Sequence, residues 1–263
     1  MEGIPGRMSI GNPIAAPTLG SLFAGIGGID LGFERAGFTT VWQVEKNADC
    51  RRILRANFPH ANRKVTDVRY GGGRNLPSVD VIAGGFPCQD ISIANVGWGE
   101  ARGLDGERSG LFFHMARIIR ELQPRAVVME NVSALLNRGL GRVLGTLAEG
   151  GYDAEWECIP ACSVGADHQR DRIWIVAYPR ETRWAGCFFR PGVLDPAAAA
   201  FTQFSRDAIG SWSDLPAAIQ RLPHSDGLSV GMVRRLVSPY GNSVIPQIPY
   251  AIALRLKELL TED

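Results

Sequence analysis

Residues 19–28 read LGSLFAGIGG, and this stretch decides the fold that the sequence predicts. A short apolar strand at 19–23 runs into glycines at positions 25, 27 and 28, and a helix-like stretch follows at 29–36. Glycines between a strand and a helix allow a ligand to approach the backbone closely. The stretch therefore predicts a strand, a turn and a helix with a ligand at the turn, or else an ordinary tight turn.

The alternation of strands and helices continues along the chain and predicts an α/β fold. Further strands are expected just before Asp67 and at 40–44, 79–83, 126–129, 154–159 and 172–178. Helices are expected up to about Asn57 and at 111–122, 140–148 and 246–260. Such alternation is typical of a Rossmann-like parallel sheet with helices on both faces, where ligands bind beyond the carboxyl ends of the strands.

Glu45 stands 20 residues beyond Gly25, at the end of the next predicted strand. A carboxylate at that place in an α/β unit can bind a ribose diol. The dinucleotide pattern G-x-G-x-x-G fails here, because position 30 is Asp where the last Gly of the pattern would stand. The turn and Glu45 together favour a nucleoside ligand that carries no pyrophosphate.

Other predicted strand ends carry reactive or charged side chains. Cys88 lies in a glycine–proline turn, where nearby amides or arginines could favour a nucleophilic thiolate, although a lone intracellular cysteine is more often a small buried hydrophobe. Glu130 follows an apolar strand, so we expect a raised pKa and a proton-donating role, with a helix-capping or salt-bridged glutamate as the alternative. Arg170 and Arg172 share one face of a strand and could hold an anion or a base carbonyl, unless they form a solvated edge.

A series of short motifs, taken in chain order, resembles a known enzyme family. The motifs are Phe23-Ala-Gly-Ile-Gly-Gly28, Glu45, Asp67, Gly85-Phe-Pro-Cys-Gln89, Glu130-Asn-Val132, Gln169-Arg-Asp-Arg172 and Gly241-Asn-Ser-Val244. Together they resemble the C5-cytosine DNA methyltransferase family over about residues 19–178 and 231–260. The Pro-Cys and Glu-Asn-Val motifs, in this order and at strand ends, are the most specific part of the resemblance.

This resemblance implies S-adenosylmethionine as the methyl donor and S-adenosylhomocysteine as the product. Phe23 would stack near the adenine, Glu45 would take the ribose hydroxyls, and Asp67 would meet the adenine amine. Gly25 and Gly27 would approach the amino-acid portion of the cofactor. The residues expected to bind the cofactor are Phe23, Ala24, Gly25, Gly27, Gly28, Glu45, Asp67, Val68, Phe86, Asn242 and Ser243.

The resemblance also implies the catalytic residues Cys88, Glu130, Arg170 and Arg172. Cys88 would attack C6 of a cytosine flipped out of duplex DNA, which makes C5 reactive enough to take a methyl group. Glu130 would stabilise the protonated N3 and Arg172 the O2 of the base, while Arg170 would hold the catalytic loop or the base. Residues 91–108, rich in Gly and charge, would close over the flipped base. No metal is expected, because the cysteines lack the C-x2-C spacing of zinc sites.

We divide the chain into a flexible N-terminus at 1–17, a catalytic and cofactor-binding domain at 18–178 and 231–263, and a small target-recognition domain at 179–230. Trp and Phe residues of this irregular last segment could stack on bases or, as we favour for most of them, form a core of its own. About 52 residues is short for long-site recognition, so a compact, phage- or prophage-like enzyme is the natural interpretation. The arginines expected to contact DNA are Arg102, Arg108, Arg183, Arg190, Arg234 and Arg235.

Composition excludes several classes of protein. Hydrophobic residues make up 45% and charged residues 21% of the 263, the balance of a globular chain and not of a disordered or fibrous one. No apolar run approaches the ~18 residues that span a bilayer, and the N-terminus lacks the apolar centre of a secretory signal. We therefore expect a cytoplasmic monomer that binds duplex DNA and no membrane. The net charge of +1 does not by itself indicate a nucleic-acid partner. The excess of 25 Arg over 3 Lys favours phosphate binding, or else reflects GC-rich coding.

Two other functions stay open on the sequence alone: the same chemistry on transfer RNA, and a catalytically inactive DNA-binding module of the same fold. The joint presence of Cys88, Glu130 and Arg172 argues against the inactive module. A metabolic enzyme that binds a small nucleoside would leave residues 180–230 unexplained.

Overall fold

A computed structural model describes residues 15–87, 110–166, 169–193, 195 and 244–262. The strands are β1 (Thr18–Leu22), β2 (Thr39–Val44), β3 (Val81–Gly85), β4 (Ala126–Val132), β5 (Tyr152–Pro160) and β6 (Asp171–Pro179). The helices are α1 (Gly28–Arg35), α2 (Ala48–Asn57), α3 (Leu111–Leu122), α4 (Leu135–Arg138), α5 (Leu140–Glu149) and α6 (Gln247–Glu262), with 3-10 turns at Val68–Tyr70 and Ala161–Val164. The strands form a sheet in the order β2-β1-β3-β4-β6-β5.

Each face of the sheet carries its own apolar core, because successive side chains of a strand point to opposite faces. Val127 and Met129 of β4 pack in the core that contains α3 and α5. Ala126 and Val128 of the same strand pack in the core that contains α1 and α6. The predicted α/β sheet with helices on both faces is thereby confirmed. Among the described residues, no helix combines the length and the apolar character needed to cross a bilayer.

The direction of the strands corrects one part of the sequence prediction. β2, β1, β3 and β4 are parallel, as predicted. β6 runs antiparallel to both β4 and β5, so the prediction of a parallel sheet is wrong for β6 and for its two pairings. The cause is the short connection from Pro160 to Asp171, since a parallel pair needs a crossover of about a dozen residues or more.

The strand predicted to end near Asp67 does not form in this described part of the chain. Asn62 makes a single parallel bridge with Trp42 beside β2, and the pairing then stops. Arg63 instead donates to carbonyl oxygens at the end of α2, which ties the segment down away from the sheet. Asp67 caps the 3-10 turn Val68–Tyr70, so its side chain and backbone serve a turn and not a ladder.

β3 begins two residues later than the strand predicted at 79–83, because Asp80 is held in place before the strand starts. The Oδ2 atom of Asp80 accepts hydrogen bonds from the backbone N–H and the Oγ1 of Thr18, at 2.8 and 2.7 Å. The strand then runs to Gly85 between β1 and β4. The predicted helix at 111–122, by contrast, coincides with α3.

Trp184 and Phe188 belong to the core of the main sheet. Both are buried in the core that contains α1 and α6, and both rings pack against Tyr178 of β6. The interpretation that such aromatic residues form a core of a separate element is wrong for these two. The rest of the predicted target-recognition domain, at 194 and 196–230, lies outside the described residues.

Gly32 lies where α1 meets α6, and a side chain there has no room. An added Cβ would stand 2.5 Å from the carbonyl oxygen of Pro246 and 2.8 Å from the backbone nitrogen of Tyr250. Although Ala ordinarily favours a helix over Gly, Gly32→Ala should therefore destabilise the fold by about 1–3 kcal/mol, because backbone atoms must move. Urea unfolding measures this change in the free energy of unfolding.

Gly145→Ala in α5 is the matched control, because an added Cβ there meets no atom within 4 Å. This variant should gain about 0.5–1 kcal/mol of stability from helix propensity alone. Equal effects of the two substitutions would contradict the tight contact between α1 and α6.

Candidate active site

A pocket of about 350 Å³ opens beyond the carboxyl ends of β1 to β4 and beside the start of β6. Its volume falls in the range of about 300–1,000 Å³ that small-molecule sites occupy. It is lined by Phe23, Gly25, Val44, Glu45, Lys46, Asn47, Cys50, Thr66, Asp67, Val68, Gly85, Phe86, Pro87, Leu111, Glu130, Asn131, Val132, Arg170 and Arg172. The pocket therefore lies where an α/β sheet of this kind is expected to bind its ligand.

The pocket is lined by most of the site residues that the sequence predicts, whereas three predicted residues nearby do not line it. Those that line it are Phe23, Gly25, Glu45, Asp67, Val68, Phe86, Glu130, Arg170 and Arg172. Ala24 instead packs against a small apolar cluster that includes Phe58. Gly27 and Gly28 lie in close contacts that leave no space for a side chain. An added Cβ would stand 2.4 Å from the Phe58 ring at Gly27 and 2.3 Å from the carbonyl oxygen of Val244 at Gly28. Contact of these three residues with a cofactor stays a prediction.

Several predicted residues lie outside the described residues: Cys88, Asn242, Ser243 and the loop at 91–108. Arg102, Arg108, Arg234 and Arg235 lie outside them as well. Pro87 lines the pocket and immediately precedes Cys88 in the sequence.

Glu45 is fixed at the pocket by the backbone on both of its sides. Its Oε2 accepts the N–H of Gly25 at 2.8 Å, and its Oε1 accepts the N–H of Asn47 at 2.7 Å. Phe23, just before the glycine turn, adopts φ 54°, a left-handed conformation that is uncommon for a bulky residue and is found at ligand sites. Because a carboxylate has about four acceptor positions, Glu45 keeps capacity for two further donors from a ligand.

Asp67 presents an ionised carboxylate held by a neighbouring arginine. The guanidinium of Arg69 donates to both carboxylate oxygens, the shortest bond being 2.6 Å from Nη2 to Oδ2. Lys46 adds a second cation, with Nζ 3.6 Å from Oδ2. The hydrogen bonds from Arg69 lower the pKa of Asp67 to about 2, so its side chain acts as an acceptor at neutral pH.

The buried carboxylate of Glu130 forms an ion pair with the partly exposed Arg172, with 2.9 Å between Nε and Oε1. Burial raises the pKa of Glu130, and the positive charges of Arg172 and Arg170 offset part of that rise. The expected raised pKa is thus confirmed, and so is the salt-bridged alternative. Glu130 lies inside β4, opposite Trp174 of β6, and not beyond the strand end as predicted, because antiparallel pairing extends β4 to Val132.

The turn after β3 is shaped around the Glu130 carboxylate. An added Cβ at Gly85 would stand 2.7 Å from Glu130 Oε2, so only glycine leaves room for the carboxylate in this position. The Nδ2 of Asn131 donates to the carbonyl oxygen of Phe86 at 3.0 Å and ties β4 to the turn that leads to Cys88. The Glu-Asn pair therefore places a buried carboxyl beside the turn and holds that turn in position.

Sequence reasoning missed several lining residues. Lys46, Thr66 and Leu111 carried no motif that could have indicated them. Asn47 had a signal, since Asn before a helical stretch is a preferred cap, and its Oδ1 does accept the N–H of Asp49 at 2.8 Å. Cys50 lines the pocket although no role was expected, and burial raises the pKa of its thiol to about 11, so it stays protonated. Within the described ranges, no group of three or more His, Cys, Asp or Glu side chains could hold a metal.

Solved structures share this fold. A prophage-encoded protein of Escherichia coli, provisionally described as a DNA modification methyltransferase, matches with a TM-score of 0.52 and 26% identity, covering 62% of this chain and 47% of its own. The Entamoeba histolytica methyltransferase EhMeth matches with a TM-score of 0.53 at 18% identity, covering 63% of this chain and 53% of its own, which is a likeness of fold alone. The chain therefore has the α/β fold of these methyltransferases.

The family follows from the sequence match. The family model described as C-5 cytosine-specific DNA methylase matches residues 18–221, and the chain belongs to this family. The Type II methyltransferase M.NgoBI of Neisseria gonorrhoeae is 37% identical over 161 residues, and M.Bsp6I of Bacillus sp. (strain RFL6) is 35% identical over 167 residues. These matches cover 60% and 61% of this chain but 49% and 51% of the relatives, so the chain spans about half their length.

Arg69→Gln should raise the pKa of Asp67 from about 2 toward the ordinary value of 3.8, because the guanidinium bonds to the carboxylate are lost. Carbon-13 NMR of the labelled carboxyl over a pH titration measures the shift. Lys46→Gln is the control and should raise the pKa by less, since Lys46 is exposed and 3.6 Å away. A pKa of Asp67 that is the same in the Arg69 variant and in the wild type would contradict the geometry.

Proposed function

We propose that this chain transfers a methyl group from S-adenosylmethionine to C5 of a cytosine in duplex DNA. One observation carries the proposal: a single pocket joins Phe23, Glu45 and Asp67 at one end to the Glu130–Arg172 pair at the other. Pro87, also in its lining, immediately precedes Cys88 in the sequence, which supports a role for Cys88 at this pocket. Membership of the C-5 cytosine-specific DNA methylase family supports the same reaction.

The residues of the first end suit the cofactor. Glu45 has acceptor capacity for the two ribose hydroxyls, and the ionised Asp67 can accept a hydrogen bond from an exocyclic amine. Phe23, Val68 and Phe86 supply aromatic and apolar surface for a purine ring. The predicted contacts of Asn242, Ser243 and the glycine turn belong to the same proposal. When bound, S-adenosylmethionine supplies the methyl group.

The residues of the second end act on the base. The Cys88 thiolate forms a bond to C6 of the cytosine, which moves an electron pair toward C5, while Glu130 gives a proton at N3. Arg172 stabilises the negative charge at O2, and Arg170 holds the base or the loop that covers it. Once C5 carries its new methyl group, a base such as water takes the C5 proton, and the C6–S bond breaks to restore the thiolate. The N3 proton then returns to the Glu130 carboxylate, which leaves neutral 5-methylcytosine.

Duplex DNA is the proposed substrate because of the family and the relatives. The curated relatives are named Type II methyltransferases, which supports a role in restriction–modification for this chain. C5 of a cytosine lies inside the base stack, so the base has to leave the duplex before the second end of the pocket can reach it. We propose residues 179–230 as the target-recognition segment and 91–108 as the loop that closes over the base.

Cys88→Ala should abolish methyl transfer and leave cofactor binding intact, because only the second end of the pocket loses its nucleophile. The measurement is transfer of labelled methyl from S-adenosylmethionine to duplex DNA, followed by nucleoside analysis for 5-methylcytosine. Binding of S-adenosylhomocysteine by calorimetry shows that the variant is folded.

Two parallel samples sharpen this test. Transfer RNA in place of DNA separates the substrates: label in RNA alone would move the reaction to RNA. DNA that carries 5-fluorocytosine should form a covalent adduct with the wild type and none with Cys88→Ala, since fluorine does not leave as a proton does. Near wild-type methylation by Cys88→Ala would overturn the mechanism.

Glu130→Gln should lower kcat by about 10²–10⁴, because an amide cannot give a proton at N3. The raised pKa of Glu130 keeps its proton bound at higher pH than in a free glutamate, so wild-type kcat should fall as pH rises through that pKa. The variant should lose this dependence while its affinity for S-adenosylhomocysteine stays unchanged. Equal pH profiles for the two proteins would remove Glu130 from the proton-donating role.

A further inference from the structure

Asp30 is a fully buried carboxyl that the proposed mechanism does not use. It lies in the first turn of α1, directly after the glycine turn. Its Oδ2 accepts a hydrogen bond from Ser21 Oγ of β1 at 3.0 Å, and its Oδ1 accepts one from Gln43 Nε2 of β2 at 2.8 Å. One carboxyl therefore joins a helix to two strands.

The network extends from Asp30 to an arginine on the far side of β2. Arg63 Nε donates to Gln43 Oε1 at 2.7 Å, and its guanidinium also donates to the carbonyl oxygens of Ala61 and Leu54. We call Ser21, Asp30, Gln43 and Arg63 the Asp30 network. Burial raises the pKa of Asp30 to about 6, although the bonds from Gln43 and Ser21 favour its charged form. Such a group is costly in a core and persists where it fixes a geometry.

The two strands need such a fixing point. The register of β1 against β2 shifts between Leu19 and Gly20, where an added Cβ on Gly20 would stand 2.1 Å from the Trp42 ring. Beyond that irregularity Ser21 pairs directly with Gln43. Asp30 bonds to both members of this pair, so it fixes the register of the strands after the shift. A slip by one residue would turn every later side chain to the other face.

The residues that follow this pair are those at the first end of the pocket. Phe23 comes two residues after Ser21, and Glu45 comes two residues after Gln43. Glu45 reaches the N–H of Gly25 across the two strand ends at 2.8 Å, a contact that depends on the register. Small errors in that register would therefore displace the acceptor that Glu45 offers to a ligand.

We propose that Asp30 is a positioning residue for the nucleoside end of the pocket: by bonding to the register partners Ser21 and Gln43, it sets where Phe23 and Glu45 stand. This inference rests on the proposed function for its effect on cofactor binding. Its effect on the backbone does not depend on that function. Asp30 touches no ligand in this account and acts only through the two strands.

Asp30→Ala removes both bonds and should raise the Kd for S-adenosylhomocysteine and the KM for S-adenosylmethionine by about tenfold or more, with kcat at saturating cofactor little changed. Asp30→Asn should restore most of the affinity, because its oxygen still accepts from Gln43 and its N–H can donate to the Ser21 hydroxyl. Ser21→Ala should raise the same Kd and KM by a smaller factor. This variant replaces Asp30→Ala in the test if the Asp30→Ala protein does not fold.

Asp80→Ala is the matched control. Asp80 also bonds through its carboxylate to β1, at Thr18, but at the end of the strand remote from the pocket. The Asp80→Ala substitution should lower the melting temperature and leave the Kd and KM for the cofactor unchanged. A purely structural role for Asp30 would make the two aspartate variants alike, with affinity tracking stability, and that result would overturn the proposal.

Amide hydrogen exchange without any ligand tests the positioning by itself. The N–H groups of Gly25 and Asn47, which donate to Glu45, should exchange faster in the Asp30→Ala and Ser21→Ala proteins than in the Asp80→Ala protein. Unchanged exchange at both amides would overturn the positioning role, whatever the cofactor result. Failure of the wild type to bind S-adenosylhomocysteine would instead overturn the proposed function, and with it the claim about cofactor affinity.

Discussion

The ion pair between the buried Glu130 carboxylate and Arg172 is the constraint on which the rest of the pocket depends. A buried carboxyl within an apolar strand is costly unless a cation or a proton balances its charge. Arg172 reaches it because β6 lies antiparallel beside β4 and sets Arg172 opposite Val132. Gly85 leaves the remaining space for the carboxylate. The direction of β6 therefore decides which side chain reaches the Glu130 carboxylate.

The two ends of the pocket are built by different strands and by different kinds of contact. At the first end, backbone N–H groups hold Glu45 and a guanidinium holds Asp67, so acceptors face the space between them. At the second end, an ion pair holds Glu130 and Arg172, and the Asn131 amide ties β4 to the turn after β3. In the proposed function, affinity for the nucleoside cofactor and reactivity toward the base are therefore set by separate contacts in one continuous pocket.

Much of this arrangement is readable from the sequence, and the exceptions have physical causes. Apolar runs and glycines predict β1, α1, α3 and the strand-end position of the pocket. Burial and backbone freedom each require particular residue types within a short segment, so a local pattern shows them. The antiparallel pairing of β6, by contrast, depends on the length of its connection to β5 and on how β6 packs beside β4. The residue pattern of β6 alone does not encode either of these. The missing strand before Asp67 reflects hydrogen bonds from the Arg63 side chain to carbonyls at the end of α2. Lys46 and Thr66 reach the pocket only through the fold. The Ser21–Asp30–Gln43 contact joins three elements and likewise has no local signal.

The most direct test of the proposed function is a crystal structure of this chain with S-adenosylhomocysteine bound. We expect adenosine between Phe23, Glu45 and Asp67, with the ribose hydroxyls on the Glu45 carboxylate and the sulfur directed toward the end that holds Glu130 and Arg172. A product molecule bound elsewhere, or one in this pocket with its sulfur directed away from Glu130, would contradict the claim that one pocket serves both the cofactor and the base.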